Sequence, residues 1–198
     1  MSAFAVAAFH DAMLALGAGR VDAVVWVRPA GLAREGVDAA LRVWTPRGAR
    51  VTALREVAPA SGDLLAGGVR VDERTVDFAA GRWTDSAREY ELTVVVEPRA
   101  VGEQLLAARV EVVAGGEIAG RAAIAVTWSD DDALLAAGGA EAVEGGPEDD
   151  ELPTGRSPQP RHTAAEPGHA GDPCPGCGEQ TAQGDRFCEG CGRALDGD

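Results

Sequence analysis

In the run Glu89-Tyr90-Glu91-Leu92-Thr93-Val94-Val95-Val96-Glu97, apolar and polar side chains alternate. Tyr90, Leu92, Val94 and Val96 fall on one side; Glu89, Glu91, Thr93 and Glu97 fall on the other. Successive side chains of an extended chain point to opposite faces, so this pattern predicts a half-buried antiparallel strand. The two-residue period returns at 21–28, 38–45, 50–58, 68–78, 104–113 and 118–128. Pro29-Ala30-Gly31, Pro46-Arg47-Gly48, Gly67-Gly68 and Gly115-Gly116 supply turns between several of these runs. About seven strands at this spacing predict a mainly β fold, an antiparallel β-sandwich over residues 21–132. Parallel strands need crossovers of a dozen or more residues, and most gaps here are shorter. Within the last run, Gly120 interrupts the apolar face of Ile118, Ala122, Ile124, Val126 and Trp128, which predicts a bulge or a close backbone approach. Trp26, Trp44, Trp83 and Trp128 are expected to plug the core or its rim rather than to form a stacking platform.

The first twenty residues read differently. Val6, Phe9, Met13 and Leu16 recur at spacings of three and four, which predicts an N-terminal helix over 2–17 with Gly17 and Gly19 as its stop. His10 then lies on the helix surface. A signal peptide fits poorly, because no basic residue precedes Arg20 and His10-Asp11 break the apolar run.

Charge divides the chain. The formal net charge is −14, from 18 basic and 32 acidic side chains, and every basic residue is Arg. Residues 1–129 hold 16 acidic and 14 Arg side chains, a net of −2; residues 130–198 hold 16 and 4, a net of −12. Residues 133–172 are expected to be a disordered, acidic, Gly- and Pro-rich linker, since such a stretch cannot bury enough apolar area to offset its ordering entropy. Asp130-Asp131-Asp132 lacks the spacing of a calcium loop and reads as a solvated strand exit.

Chemistry concentrates at the C-terminal end. Cys174-Pro175-Gly176-Cys177-Gly178 and Cys188-Glu189-Gly190-Cys191-Gly192 repeat one pattern, Cys-x-Gly-Cys-Gly, with ten residues between Cys177 and Cys188. Two intervening residues let both thiolates of a pair reach one ion from a tight turn. Glycine permits that turn and lets backbone N–H groups face sulfur. Two such turns make Cys174, Cys177, Cys188 and Cys191 ligands for one structural Zn²⁺ in a zinc ribbon over 173–196. Disulfides, a redox Cys-x-x-Cys pair and an iron–sulfur cluster are the competing uses of four cysteines. Phe187 is expected to pack under the metal. His162 and His169 are not needed as ligands.

Nothing in the sequence forms a catalytic constellation. A phosphate-binding loop of the Gly-x-x-x-x-Gly-Lys type is impossible without Lys, and neither Gly-x-Ser-x-Gly nor His-Glu-x-x-His occurs. The expectation is a protein that is not an enzyme. The acidic balance disfavours nucleic acid, whose affinity comes from clustered Lys and Arg. No run of 18 apolar residues is present to enter a membrane as a helix.

From Val37 to Asp131 the chain resembles the region that follows the von Willebrand factor A domain in a group of actinobacterial proteins. The matching residues are Leu41-Arg42-Val43-Trp44-Thr45-Pro46, Glu56-Val57-Ala58-Pro59, Gly81-Arg82-Trp83-Thr84-Asp85, Arg88-Glu89-Tyr90, Leu106-Ala107-Ala108-Arg109-Val110 and Val126-Thr127-Trp128-Ser129-Asp130-Asp131. The cysteines resemble the double-zinc-ribbon class. These 198 residues are not expected to contain the A domain: no Asp-x-Ser-x-Ser loop occurs among them, and residues 1–36 are too few to hold it. Metal-dependent adhesion is therefore not implied for any residue here; either 2–17 is the remnant of that domain's last helix, or the chain is a split or truncated product whose A domain lies elsewhere. The alternating strands and the lack of a catalytic constellation lead to the expectation of a non-enzymatic, cytoplasmic interaction or scaffold protein; the resemblance implies an A-type or signalling protein as its partner. A nucleic-acid-associated or regulatory zinc-ribbon protein is the alternative.

Overall fold

The computed structural model describes residues 4–30, 36–83, 86–136, 140–142, 170–182 and 184–195. Two six-stranded sheets enclose one core. The first sheet contains β1 (Phe4–Asp11), β3 (Arg20–Pro29), β5 (Arg50–Ala58), β6 (Gly62–Asp63), β9 (Arg88–Val95) and β12 (Ala140–Ala142), in the order β12-β1-β3-β9-β5-β6. The second contains β2 (Met13–Ala15), β4 (Asp38–Trp44), β7 (Val69–Arg70), β8 (Thr75–Arg82), β10 (Gln104–Ala114) and β11 (Glu117–Ser129), in the order β2-β11-β10-β4-β8-β7. The pairings are antiparallel except that of β2 with β11, which is parallel.

The alternation that predicts β9 is kept side chain by side chain. Tyr90, Leu92 and Val94 are buried, opposite Val25, Ala23 and Val21 of β3. Leu41 and Val43 of β4, Phe78 of β8, and Ile124, Val126 and Trp128 of β11 close the core from the other sheet. Trp83 and Trp128 are 1% and 0% exposed, and each indole N–H finds a carbonyl, of Ser86 at 3.1 Å and of Ala18 at 2.8 Å. A buried indole needs that acceptor, or its desolvation goes uncompensated. Trp44 is half-buried, and Trp26 is exposed.

The expected N-terminal helix is not formed. Residues 4–11 are β1, paired antiparallel with β3 from Phe4↔Pro29 to His10↔Ala23, and the chain then crosses to the second sheet as β2. Phe4, Val6, Ala8 and His10 point inward, while Ala5, Ala7 and Phe9 point outward. With apolar residues on both faces, the two-residue period is invisible in the sequence. Ladder hydrogen bonds to β3 and burial against β11 outweigh the helical preference of an Ala-rich run. The segment is therefore not the remnant of a helix. His10 is buried rather than on a surface, and its Nε2–H donates to the Ala125 carbonyl at 2.7 Å.

Gly120 marks both features its position suggests. A Cβ there would sit 2.5 Å from the Phe4 carbonyl oxygen and 2.8 Å from Val6 Cγ2, so β1 crosses directly over it. The ladder also slips between Val112↔Gly120 and Val113↔Ile118. This bulge changes the phase of the strand, burying Ala119 and leaving Ile118 exposed, against the expectation that Ile118 shares the core face. The run 68–78 is split into β7 and β8 by a turn in which the Asp72 carboxylate accepts the Arg74 amide at 2.7 Å.

Beyond β11, Asp131 caps α1 (Asp132–Ala136), its Oδ1 accepting the Ala133 amide at 2.8 Å. β12 then pairs with the end of β1. Residues 143–169, most of the expected linker, lie outside the described residues.

Candidate metal centre

Each Cys-x-Gly-Cys-Gly segment folds into the same turn. In the first, the Gly176 amide donates to Cys174 Sγ at 3.4 Å, the Gly178 amide to the Cys174 carbonyl at 2.8 Å, and the Cys174 amide to the Glu179 carbonyl at 2.8 Å. In the second, Gly190 donates to Cys188 Sγ at 3.3 Å, Gly192 to the Cys188 carbonyl at 2.8 Å, and Cys188 to the Arg193 carbonyl at 2.9 Å. Gly178 and Gly192 close the two turns at φ +74° and +71°, where a Cβ is strained. Short ladders carry the turns. β13 (Ala170–Pro173) pairs with β14 (Gln180–Ala182), and Phe187 bridges to Ala194. Phe187 is half-buried, with the Arg186 guanidinium 6.0 Å from its ring centre.

The turns face each other and bring all four predicted ligands together. Cys174 and Cys188 are buried, Cys177 and Cys191 half-buried, and the four Sγ atoms lie within 4.8 Å of one another. Cys174 Sγ is 3.7 Å from Cys191 Sγ, and Cys177 Sγ is 3.6 Å from Cys188 Sγ. No pair is joined as a disulfide. Four sulfurs at about 2.3 Å from a tetrahedral ion are about 3.8 Å apart, so the two short separations match the edge of such a shell. The donor set and the converging geometry fit one metal ion in a zinc-ribbon-like module.

The thiols are electrostatically unequal. Burial pushes Cys188 up to about 12 and raises Cys191 as well. Burial also opposes ionisation of Cys174. There the amides of Gly176 and Cys177, with the Cys188 and Cys191 thiols, outweigh it and bring the group down to about 7. A bound cation favours four thiolates, so it must displace the protons that burial retains.

The module sits against the second sheet. Leu105 bridges to Arg193, the Leu106 amide donates to the Gly192 carbonyl at 2.8 Å, and the Arg47 amide donates to the Gly190 carbonyl at 3.0 Å. Arg109 pairs with Glu189, Arg74 with Glu179 at 3.3 Å, and Arg193 with Glu103 at 2.6 Å. A Cβ on Gly192 would lie 2.6 Å from the Leu106 carbonyl oxygen and 3.0 Å from Pro46 Cβ. The sequence points to the four cysteines that converge here and gives almost no sign of this interface. Its one sequence trace is the glycine after Cys191, which also follows Cys177, where no such neighbour exists.

A second surface feature lies on the outer face of the first sheet. A depression of about 520 Å³ is lined by Ala5, Ala7 and Phe9 of β1, Trp26 of β3, and Ala58 and Glu89. Trp26 is 54% exposed and packs edge-on against Phe9 at 5.5 Å. Among the described residues, no helix is long and apolar enough to cross a membrane.

No family model matches the chain, and no curated protein matches it. Among solved structures, it is similar to a von Willebrand factor type A protein from Catenulispora acidiphila, with 37% identity and a TM-score of 0.49. That match covers 50% of this chain and 25% of the other. A cohesin module from a family 33 glycoside hydrolase of Clostridium perfringens ATCC13124 overlays with a TM-score of 0.44 and 9% identity, covering 66% of this chain and 100% of the module. The fold assignment rests on strand order and register rather than on either overlay, and this chain spans only a quarter of the Catenulispora protein.

Proposed function

We propose that the chain is a non-enzymatic, cytoplasmic protein-interaction or scaffold protein. Its C-terminal module is a zinc ribbon holding one structural Zn²⁺ through Cys174, Cys177, Cys188 and Cys191. The observation that carries this is the convergence of four sulfurs from two equivalent turns, with edges of 3.6 and 3.7 Å. Zinc is preferred to iron–sulfur because a single tetrahedral ion matches those edges. With few residues in the module, the ion supplies the cross-link that a core of this size lacks. The non-enzymatic reading rests on the sequence, which lacks the usual nucleophile, phosphate-loop and metalloprotease patterns.

The partner we propose is a von Willebrand factor A-type protein. The residues from Leu41 to Asp131 set out above support it, as does the 37% identity to a protein described as von Willebrand factor type A. The depression beside Trp26 offers an aromatic anchor of the kind that protein interfaces favour. The test is calorimetric titration of the full chain with an A-type domain from the same genome. A saturable complex that weakens on Trp26→Ala is the expected result. No heat at concentrations reaching about 100 μM removes this partner.

A further inference from the structure

Four successive backbone carbonyls of the second cysteine turn are each taken by a donor of the sandwich. Glu189 O accepts from Arg74 Nη1 at 2.6 Å, Gly190 O from the Arg47 amide at 3.0 Å, Cys191 O from Arg99 Nη2 at 3.0 Å, and Gly192 O from the Leu106 amide at 2.8 Å. The orientation has a cause. The Gly190 amide points at Cys188 Sγ, so the Glu189 carbonyl of the same peptide group faces away from the sulfur cluster. A metal-loaded knuckle is thus a rim of acceptors around a charged centre. Four thiolates around a divalent cation carry −2, and Glu179 and Glu189 add to it. The sandwich answers with Arg74, Arg99 and Arg109. Leu106 is only 2% exposed although it is not part of the inter-sheet core, and its backbone lies against Gly192.

We propose that Arg47, Arg74, Arg99, Leu106 and Arg109 form a receptor on the sandwich for a metal-loaded cysteine knuckle, occupied here by the chain's own residues 188–192. Metal binding and docking are then one coupled equilibrium. The ion holds the turn in the shape that presents four carbonyls, and the arginines offset the charge that the ion and its thiolates bring. Linkage makes the coupling reciprocal: docking raises metal affinity by the same factor that metal raises docking. Loss of the ion uncovers the strip around Leu105 and Leu106. The inference rests on the reading that the four cysteines bind Zn²⁺.

The experiment uses the full chain in two measurements. Chelator competition compares zinc affinity in the native protein, Arg99→Gln/Arg109→Gln, Arg109→Lys, and Arg20→Gln, whose residue pairs with nearby Asp22. Affinity is expected to fall about 10-fold or more in the double variant, in the range seen when groups behind metal ligands are removed. It is expected to stay near native in Arg20→Gln and to fall less in Arg109→Lys, which keeps the charge but not the two-pronged pairing with Glu189, than in the double variant, and the deficit should shrink as salt rises. Amide hydrogen exchange, with and without chelator, should show the Arg47 and Leu106 amides losing protection on metal removal while Val110 and Val112 in the same sheet keep theirs. Native affinity in the double variant, or unchanged exchange at Arg47 and Leu106, overturns the proposal. A native chain that takes up no zinc overturns the metal reading and this inference together.

Discussion

Gly178 and Gly192 occupy equivalent places in two equivalent turns, at φ +74° and +71°, yet only Gly192 has the sandwich against it. Alanine at either position meets the same left-handed strain of about 1–2 kcal/mol. At Gly192 the new methyl group also meets the Leu106 carbonyl oxygen and Pro46, neither of which can swing aside. Gly178→Ala should therefore weaken the ribbon modestly and keep it docked, whereas Gly192→Ala should undock it. Exchange of the Leu106 amide distinguishes the two variants, and equal behaviour would contradict the interface. The thiols make a second residue-level prediction. Cys188 is raised to about 12 and Cys191 is raised too, so both keep their protons near neutrality. Zinc must expel them, and affinity therefore rises with pH. Calorimetry at pH 8 in buffers of different ionisation enthalpy should find at least two protons released per ion; none released would contradict the burial of these sulfurs.

Elements differ in how plainly their residues announce them. β9 was legible because Glu and Thr mark its outer face, and β5 and β10 because a turn adjoins each run, Pro46-Arg47-Gly48 before the one and Gly115-Gly116 after the other. β1 was not, because Ala5, Ala7 and Phe9 put apolar residues where a solvated strand would carry polar ones. The end of β11 was misphased for another reason: a bulge is a backbone event that the side chains of Ile118, Ala119 and Gly120 do not encode individually. The cysteine turns were legible to the residue, since ligand chemistry fixes both type and spacing. Their seat on β10 and the loop after β4 was not, because it is made by backbone carbonyls and by arginines far away in sequence. The strand form of β1 has its own test. Val6→Ala removes buried methyl groups and should cost about 2 kcal/mol in urea unfolding. Ala7→Val lies on the outer face and should change stability by less than about 0.5 kcal/mol. A helix over 2–17 with Val6 and Phe9 on one face would instead make Phe9→Ala as costly as Val6→Ala.

At the scale of the molecule, the charge asymmetry and the metal centre belong together. The body is close to neutral, but its arginines are not evenly used. Arg74, Arg99 and Arg109 converge on the second cysteine turn and its neighbour Glu179, within the acidic C-terminal third. The ribbon is thus less a tethered appendage than a part of the sandwich surface, and the proposed coupling makes that part metal-dependent. Cys188→Ser should remove zinc and lower the urea midpoint of the sandwich without abolishing its folding, because the core between the sheets contains no ribbon residue. Tryptophan fluorescence follows this transition, since all four indoles are in the body. All of this depends on four sulfurs sharing one ion. Zinc K-edge X-ray absorption on the purified full chain measures that directly: one zinc per chain with four sulfur neighbours at about 2.3 Å is the predicted result, and a shell containing nitrogen or oxygen, or no bound zinc, would contradict it.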